Sequence, residues 1–402
     1  MSRARTSRPS FAALVLASGI GPIALDSYLP AMPAMQASLG ARASTIQLTV
    51  TCYIVGMALG QLFAGPISDG TGRRWSLLPP ALVFTLASGV AASTEDVALL
   101  LATRAVQGAA AGAAIVVARA VVADVYRGPE LASRLGTLAV IVQIGPIVAP
   151  SLGSVMLGIG SWRTIFWAMT AVGVAMSVRI AQGVPETLPR DERHERGLGE
   201  TLRRMGSLLR DWGYTQHVLV SCAMVFGFFV YLGGSSFVLH AVYGVTASEY
   251  AVIFGVNAAL AVTGALAFRF AVPRRGPEAV RRVGVMLGAA AASLLVLVAA
   301  LGPDRVPGVA APWILLAAVA ASMGLVSPAT ATLALEAGAR ARGTASWLLG
   351  GLSLVAGALA TPLTGLVGSR TLLPMALLML GGYAASAVLL LMIGRPGAAR
   401  TR

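Results

Sequence analysis

A carboxylate and a guanidinium stand inside otherwise apolar runs of this chain, and few side chains are costlier to place there. Asp26 follows Ile20-Gly21-Pro22-Ile23-Ala24-Leu25 and precedes Ser27-Tyr28-Leu29-Pro30-Ala31-Met32-Pro33. Arg104 lies in another apolar run, with Gln107 one turn later on the same helical face. An unpaired ionised group deep in a bilayer costs at least a few kcal/mol, so such groups usually bind or move something. Loss of water favours a protonated Asp26, whereas a nearby Arg104 favours its carboxylate. A group balanced between those terms can take a proton on one side and release it on the other, while a substrate competes with the proton or disturbs the balance. Two blander readings stand beside this one. Asp26 could stay hydrated at its helix end, and Arg104 could snorkel outward or lock helices together through backbone carbonyls.

The elements that must hold these groups are membrane helices. Hydrophobic residues make up 56% of the 402 and charged residues 11%, and the mean hydropathy is +0.79, outside the usual range of soluble domains. A helix needs about 20 apolar residues to cross a bilayer. Such stretches fall at 10–31, 44–65, 75–93, 97–118, 132–156, 162–183, 216–240, 250–272, 283–301, 311–333, 344–367 and 372–393. The expected fold is therefore an all-α integral membrane protein of twelve transmembrane helices. Strand-like alternation is absent, which argues against an outer-membrane barrel. On this map Asp26 sits roughly 22–24 Å from the inner end of the first helix, and Arg104 about 10–12 Å below the outer surface. Their depths overlap.

The formal charge of +14 invites a nucleic-acid reading, but its placement points elsewhere. All 30 basic residues are arginines. Arg42, Arg163, Arg305 and Arg370 fall on one side and Arg104 within a span; every other arginine lies toward the opposite face. That asymmetry follows the positive-inside rule and puts both termini in the cytoplasm, with no nucleic acid as partner. Arg3, Arg5 and Arg8 precede an apolar run that continues without a convincing cleavage site, so it reads as the first span. With no lysine there is no P-loop. His194, His217 and His240 are scattered without ligand spacing, Cys52 and Cys222 are single, and no serine–histidine–acid set occurs. The chain reads as neither an enzyme nor a metal or cofactor protein.

Spans one to six (1–183) and seven to twelve (215–402) are separated by the longest polar stretch, 184–214, read as a solvated linker with an amphipathic surface helix. It contains Arg190, Arg193, Arg196, Arg203, Arg204 and Arg210. Two six-span halves of this kind suggest parallel repeats. Span five holds Gly145-Pro146-Ile147-Val148-Ala149-Pro150-Ser151-Leu152-Gly153, which suits either close helix packing or a hinge. Span seven offers Met224, Phe226, Phe228, Phe229 and Tyr231, adaptable side chains for a promiscuous pocket, although most such residues face lipid or other helices.

Between spans two and three runs Gly65-Pro66-Ile67-Ser68-Asp69-Gly70-Thr71-Gly72-Arg73-Arg74. It resembles the G-x-x-x-D-R-x-G-R-R loop of the major facilitator superfamily, with Gly70 in place of the first arginine. The corresponding 8–9 connection, Val272-Pro273-Arg274-Arg275-Gly276-Pro277, keeps only the basic character. Asp26 to Pro33 resembles the D-x-Y-L-P-A-x-P signature of the Bcr/CflA drug-resistance family within that superfamily. Further matches are Ser44 to Thr49, Arg119-Ala120 with Asp124 and Tyr126, Trp162 to Phe166, Pro185 to Leu188 and Gly343 to Ser346. Pro146 to Gly153 is similar to that family's P-x-x-A-P-x-x-G helix.

The resemblance implies a major facilitator fold of two pseudo-symmetric six-helix bundles in the cell membrane, with a monomer as the default. It also implies proton-driven export of amphipathic drugs such as chloramphenicol-type phenicols, bicyclomycin or sulfonamides. Asp26 and Arg104 match positions tied to proton and substrate handling, with Tyr28, Gln107, Met224, Phe228 and Tyr231 as cavity candidates. Gly65, Asp69, Gly72, Arg73 and Arg74 match a cytoplasmic gate, whose blander reading is loop capping and positive-inside anchoring. Gly145, Pro146, Pro150 and Gly153 are the hinge candidates. A substrate-specific carrier of a nutrient or endogenous metabolite, or a membrane receptor, are the competing readings.

Overall fold

The structure is a computed structural model that describes residues 9–189, 193, 198–339, 342–368 and 371–393. Arg3, Arg5, Arg8, Arg190, His194, Arg196 and Arg370 lie outside the described residues. Thirteen α-helices are found among those described. They are α1 (Phe11–Asp26), α2 (Met32–Leu39), α3 (Ala43–Thr71), α4 (Arg73–Ser93), α5 (Val97–Val125), α6 (Gly128–Ile159) and α7 (Trp162–Gly183), followed by α8 (Leu198–Arg210), α9 (Trp212–Tyr243), α10 (Ala247–Leu301), α11 (Ala310–Ala337), α12 (Arg342–Val367) and α13 (Leu372–Ile393).

Eleven helical segments are long and apolar enough to cross a membrane. One of them, α10, has 55 residues, which would be roughly 80 Å if straight, against a bilayer core of about 30 Å. It breaks at Gly276 (φ 73°, ψ 160°) into two limbs. Counting its two limbs separately gives twelve helical segments of membrane-spanning length among the described residues.

By their contacts the residues form two compact units, 1–201 with 247–255, and 202–246 with 256–402. In the first, α1 packs on α5 and α6, α3 on α5, and α4 on α5 and α7; in the second, α9 packs on α11, α12 and α13. In the first unit α3 and α5 approach closely. A Cβ on Gly56 would lie 2.0 Å from Ala105 O, and one on Gly108 would lie 1.9 Å from Tyr53 O. Small residues let the two backbones touch, where dispersion and weak polar contacts replace a hydrophobic drive that lipid does not supply. The second unit repeats the device: a Cβ on Gly324 of α11 would lie 1.9 Å from Ala261 O of α10.

Two expectations change. The Gly65–Arg74 stretch is not a loop, because α3 runs through it to Thr71 and only Gly72 (φ 101°, ψ 158°) leaves helical geometry. Hydroxyls knit the helix end together: Ser68 Oγ donates to Gly65 O (2.9 Å) and Thr71 Oγ1 to Ile67 O (2.8 Å). The 8–9 connection is likewise helical on both sides of Gly276, so the apolar spans 250–272 and 283–301 each belong to a longer helical limb that continues up to that glycine. The first span also bends. The chain leaves α1 directly after Asp26, makes a 3-10 turn at Leu29–Ala31, and re-enters a helix at Met32, with Pro30 and Pro33 at starting positions where a missing N–H costs nothing.

Candidate functional site

Arg104 is fully buried in α5, and its charge is met mainly by aromatic faces. Its guanidinium carbon lies 4.3 Å from the centroid of the Tyr28 ring, 4.2 Å from that of Tyr53 and 5.7 Å from that of Phe166. Desolvated cation–π contacts of this kind are worth about 2 kcal/mol each. Nη1 donates to Gln107 Oε1, and Nη2 donates to Ala24 O at 3.3 Å. The other end of the Gln107 amide donates to Ser88 Oγ (2.7 Å). The arginine thereby ties α5 to α1 and, through Gln107, to α4.

The aromatic walls are fixed in turn. Tyr53 Oη donates to Gly21 O (2.9 Å). Thr49 Oγ1 donates to Ile46 O, which makes Tyr28 the donor in its 3.0 Å contact with Thr49. Asp26 is buried, 4% exposed, two residues beyond the carbonyl that Arg104 holds. Among the described residues its carboxylate makes no ion pair with Arg104 or any other cation. Asp26 and the backbone carbonyl that Arg104 holds are thus two residues apart in the chain, while the two charged side chains form no ion pair.

A second cluster surrounds Gly72. Arg73 Nη1 donates to Asp69 Oδ1 (2.7 Å) and Ser68 Oγ (2.7 Å), and its Nε donates to Asp124 Oδ2 (2.8 Å) on α5. Its backbone N–H donates to Glu186 Oε1 (2.8 Å), and Arg74 Nη2 donates to Ala181 O (2.8 Å). Glu186 also pairs with Arg193 at 3.5 Å. Only glycine serves at position 72: φ is positive, and a Cβ would meet Glu186 Oε2 at 2.4 Å. Gly65 contributes its carbonyl alone, since a Cβ there would meet nothing within 4 Å.

Gly145 and Gly153 of α6 both face the first span, where Cβ atoms would come within 2.7 Å of Pro22 Cβ and 1.6 Å of Ser27 O. Pro146 and Pro150 lie inside the same helix. In the second unit Met224 and Tyr231 are buried, whereas Phe228 keeps part of its surface and sits edge-on to Tyr231 at 5.7 Å.

Sequence reasoning passed over several members of these clusters. Tyr53 and Thr49 stand four residues apart on one face of span two, a polar stripe visible in hindsight. In the second unit Asn257 Nδ2 donates to Tyr231 Oη (3.1 Å), and Trp313 Nε1 donates to Asn257 Oδ1 (3.1 Å). Asn257 was detectable as a lone amide in an apolar run.

Residues 14–361 match the profile of the Major Facilitator Superfamily. The chain belongs to the major facilitator superfamily. It is 34% identical over 366 residues to YdgK of Bacillus subtilis, an uncharacterized MFS-type transporter, covering 90% of this chain and 89% of that one. It is 25% identical over 365 residues to a bicyclomycin resistance protein homolog of Haemophilus influenzae, covering 90% of each. It is also 29% identical over 251 residues to the multidrug resistance protein MdtL of Escherichia coli, covering 62% of this chain and 63% of MdtL.

Among solved structures, a mutant of the nucleoside transporter NupG superposes with a TM-score of 0.75 at 12% identity, covering 95% of this chain and 98% of NupG. The human organic anion transporter MFSD10 gives 0.66 at 18% identity, covering 94% and 98%. At those identities the likeness concerns the fold. This facilitator is thus a multi-pass membrane transporter and not an enzyme.

Proposed function

We propose that this facilitator exports small amphipathic drugs, such as phenicols, bicyclomycin or sulfonamides, in exchange for protons. The observation that carries the reading is Asp26: a buried carboxylate at a helix break, with no cation paired to it, beside an arginine whose needs are met elsewhere. Such a group changes charge at low structural cost. One proton moving inward is worth about 2.3 kcal/mol per 100 mV. Relatives named for bicyclomycin and multidrug resistance support the substrate class.

In this reading Asp26 carries the proton and Arg104 senses its charge. Tyr28 and Gln107 meet the substrate in the first unit, and Phe228 does so in the second with Tyr231 and Met224 behind it. The cluster of Asp69, Gly72, Arg73 and Arg74 is the inner gate and α6 the hinge. The chain acts as a monomer in the cell membrane, with 1–183 and 215–402 as six-helix bundles, 184–214 as linker and both termini in the cytoplasm.

The test is uptake of a labelled phenicol into inverted vesicles with and without a pH gradient. Gradient-driven uptake that Asp26→Asn abolishes at normal expression supports the exporter. Full proton-coupled uptake by Asp26→Asn would overturn the role of that acid. Drug-insensitive vesicles that carry one nutrient instead would favour a substrate-specific carrier.

A further inference from the structure

The second limb of α10 begins just after Gly276 and carries two adjacent arginines that face different ways. Arg281 is 1% exposed and turns inward, its Nη1 donating to His217 Nδ1 of α9 at 2.7 Å. Arg282 turns outward, with half of its side chain exposed. It lines a groove of about 570 Å³ between this limb and the last two turns of α13. Met286 continues the same wall, and Val388, Leu391 and Met392 belong to the other. All four are more than half exposed. A contiguous apolar surface of this size, with a charged group at one end, suits an amphiphile.

Glu278 completes the charged end. It lies one turn before Arg282, toward Gly276, and accepts from Arg282 Nη2 at 2.7 Å. Among the described residues neither side chain makes another hydrogen bond. A guanidinium has five N–H donors and a carboxylate about four acceptor sites, so both members of the pair keep capacity for a ligand. An exposed pair at this spacing contributes little by itself and rearranges readily. Glu278, Arg282 and Met286 follow one another at four-residue spacing, about 6 Å apart along the axis. From the arginine-rich end inward, that face reads carboxylate, guanidinium, thioether.

We propose that this groove binds a phosphoethanolamine lipid, with its phosphate on Arg282, its ammonium on Glu278 and the start of one acyl chain against Met286 and Leu391. Such a lipid presents ammonium, phosphate and hydrocarbon in that order from water inward, which is the order of the three side chains. The groove runs about 8 Å along α13, enough for the glycerol region and the first carbons of a chain whose remainder stays in the bilayer. A phosphoglycerol head meets Arg282 equally well but sets uncharged hydroxyls against Glu278. A phosphocholine head brings a cation with no N–H to donate. Arg274 and Arg275, exposed on the far side of Gly276, attract any phosphate through solvent and do not tell one head from another. The site is independent of what the chain transports.

Native mass spectrometry of the full-length protein in detergent tests this, with phosphatidylethanolamine, phosphatidylglycerol and phosphatidylcholine of the same acyl chains supplied at equal concentration. The ethanolamine lipid should be retained about threefold to fivefold better than either of the others. Arg282→Gln should weaken all three, through the phosphate. Glu278→Gln should lower the ethanolamine lipid to the level of the choline lipid without weakening the glycerol lipid. Met286→Trp fills the groove and should weaken all three while both charges remain. Arg179→Gln, at an exposed arginine of α7 in the first unit, is the control and should change nothing. Equal retention of the three lipids, best retention of phosphatidylglycerol, a preference that survives Glu278→Gln, or an Arg282→Gln protein that binds as before would each overturn the site. Displacement of the bound lipid by an equal concentration of glycerophosphoethanolamine, the head without its chains, would show that the groove takes no part and would overturn it too.

Discussion

Tyr53 holds Arg104 in two separable ways, and removing them one at a time tests whether the arginine is anchored by aromatic faces. Its hydroxyl donates to Gly21 O at 2.9 Å, and its ring centroid lies 4.2 Å from the guanidinium carbon. Tyr53→Phe removes only the hydrogen bond and should cost about 1 kcal/mol. Tyr53→Leu removes the ring face as well, adding about 2 kcal/mol for a desolvated cation–π contact, for about 3 kcal/mol in all. In an Arg104→Met background the cation is gone, so the ring-face component should vanish and the double-mutant cycle should return a coupling of about 2 kcal/mol.

A thiol-reactive dye reads this out. Cys52 adjoins Tyr53 in the first unit and Cys222 lies in the second, so a Cys222→Ser background reports the first unit alone. At about 2–4 °C per kcal/mol for a unit of this size, Tyr53→Leu should melt roughly 6–12 °C early and Tyr53→Phe about 2–4 °C early. A coupling below about 0.5 kcal/mol would show that the ring only fills space and would refute the anchoring argument.

The glycine contacts give a paired expectation. Gly108→Leu should abolish the folded protein, because its side chain would enter the α3 backbone, whereas Gly65→Ala should be neutral or stabilise by up to about 1 kcal/mol; folded yield and melting check both. Arg73→Gln strands Asp69 and Asp124 and should cost about 2–3 kcal/mol in a melting assay, largely recovered when both acids are also made amides. Asp69→Asn should change transport rate in vesicles more than the ranking of substrates, and a changed ranking at unchanged rate would remove the gate from the proposal. Asn257→Leu leaves Tyr231 Oη and Trp313 Nε1 without their amide and should cost about 1–3 kcal/mol in the same assay, with Cys222 as the reporter.

Twelve crossings were legible because a bilayer imposes one length scale on every span, and apolar composition records it directly. Helix ends were less so. Thr71 and Ser68 look like loop residues, yet their hydroxyls return to carbonyls a turn behind and extend α3 into a stretch rich in glycine. Arg104 and Gln107 stood out as polar groups in an apolar run, but nothing in their spacing said that the guanidinium rests on Tyr28 and Tyr53 rather than on Asp26. Tyrosines 51 and 76 residues away in the chain can be aimed at it only by the α1, α3 and α5 packing. Likewise His217 and Arg281 are 64 residues apart, and neither carries a motif.

The connections at Gly72 and Gly276 contain no spare chain. Helices joined through one non-helical residue cannot slide along their axes, since any axial displacement would have to be drawn from hydrogen-bonded turns on either side. The only inexpensive freedom left to each pair is rotation about the φ and ψ of a single glycine. Each joint therefore works as a pivot with a fixed arm on both sides. Whatever shifts α3 along its axis must carry the end of α4 with it, and whatever shifts the first limb of α10 must carry the start of the second.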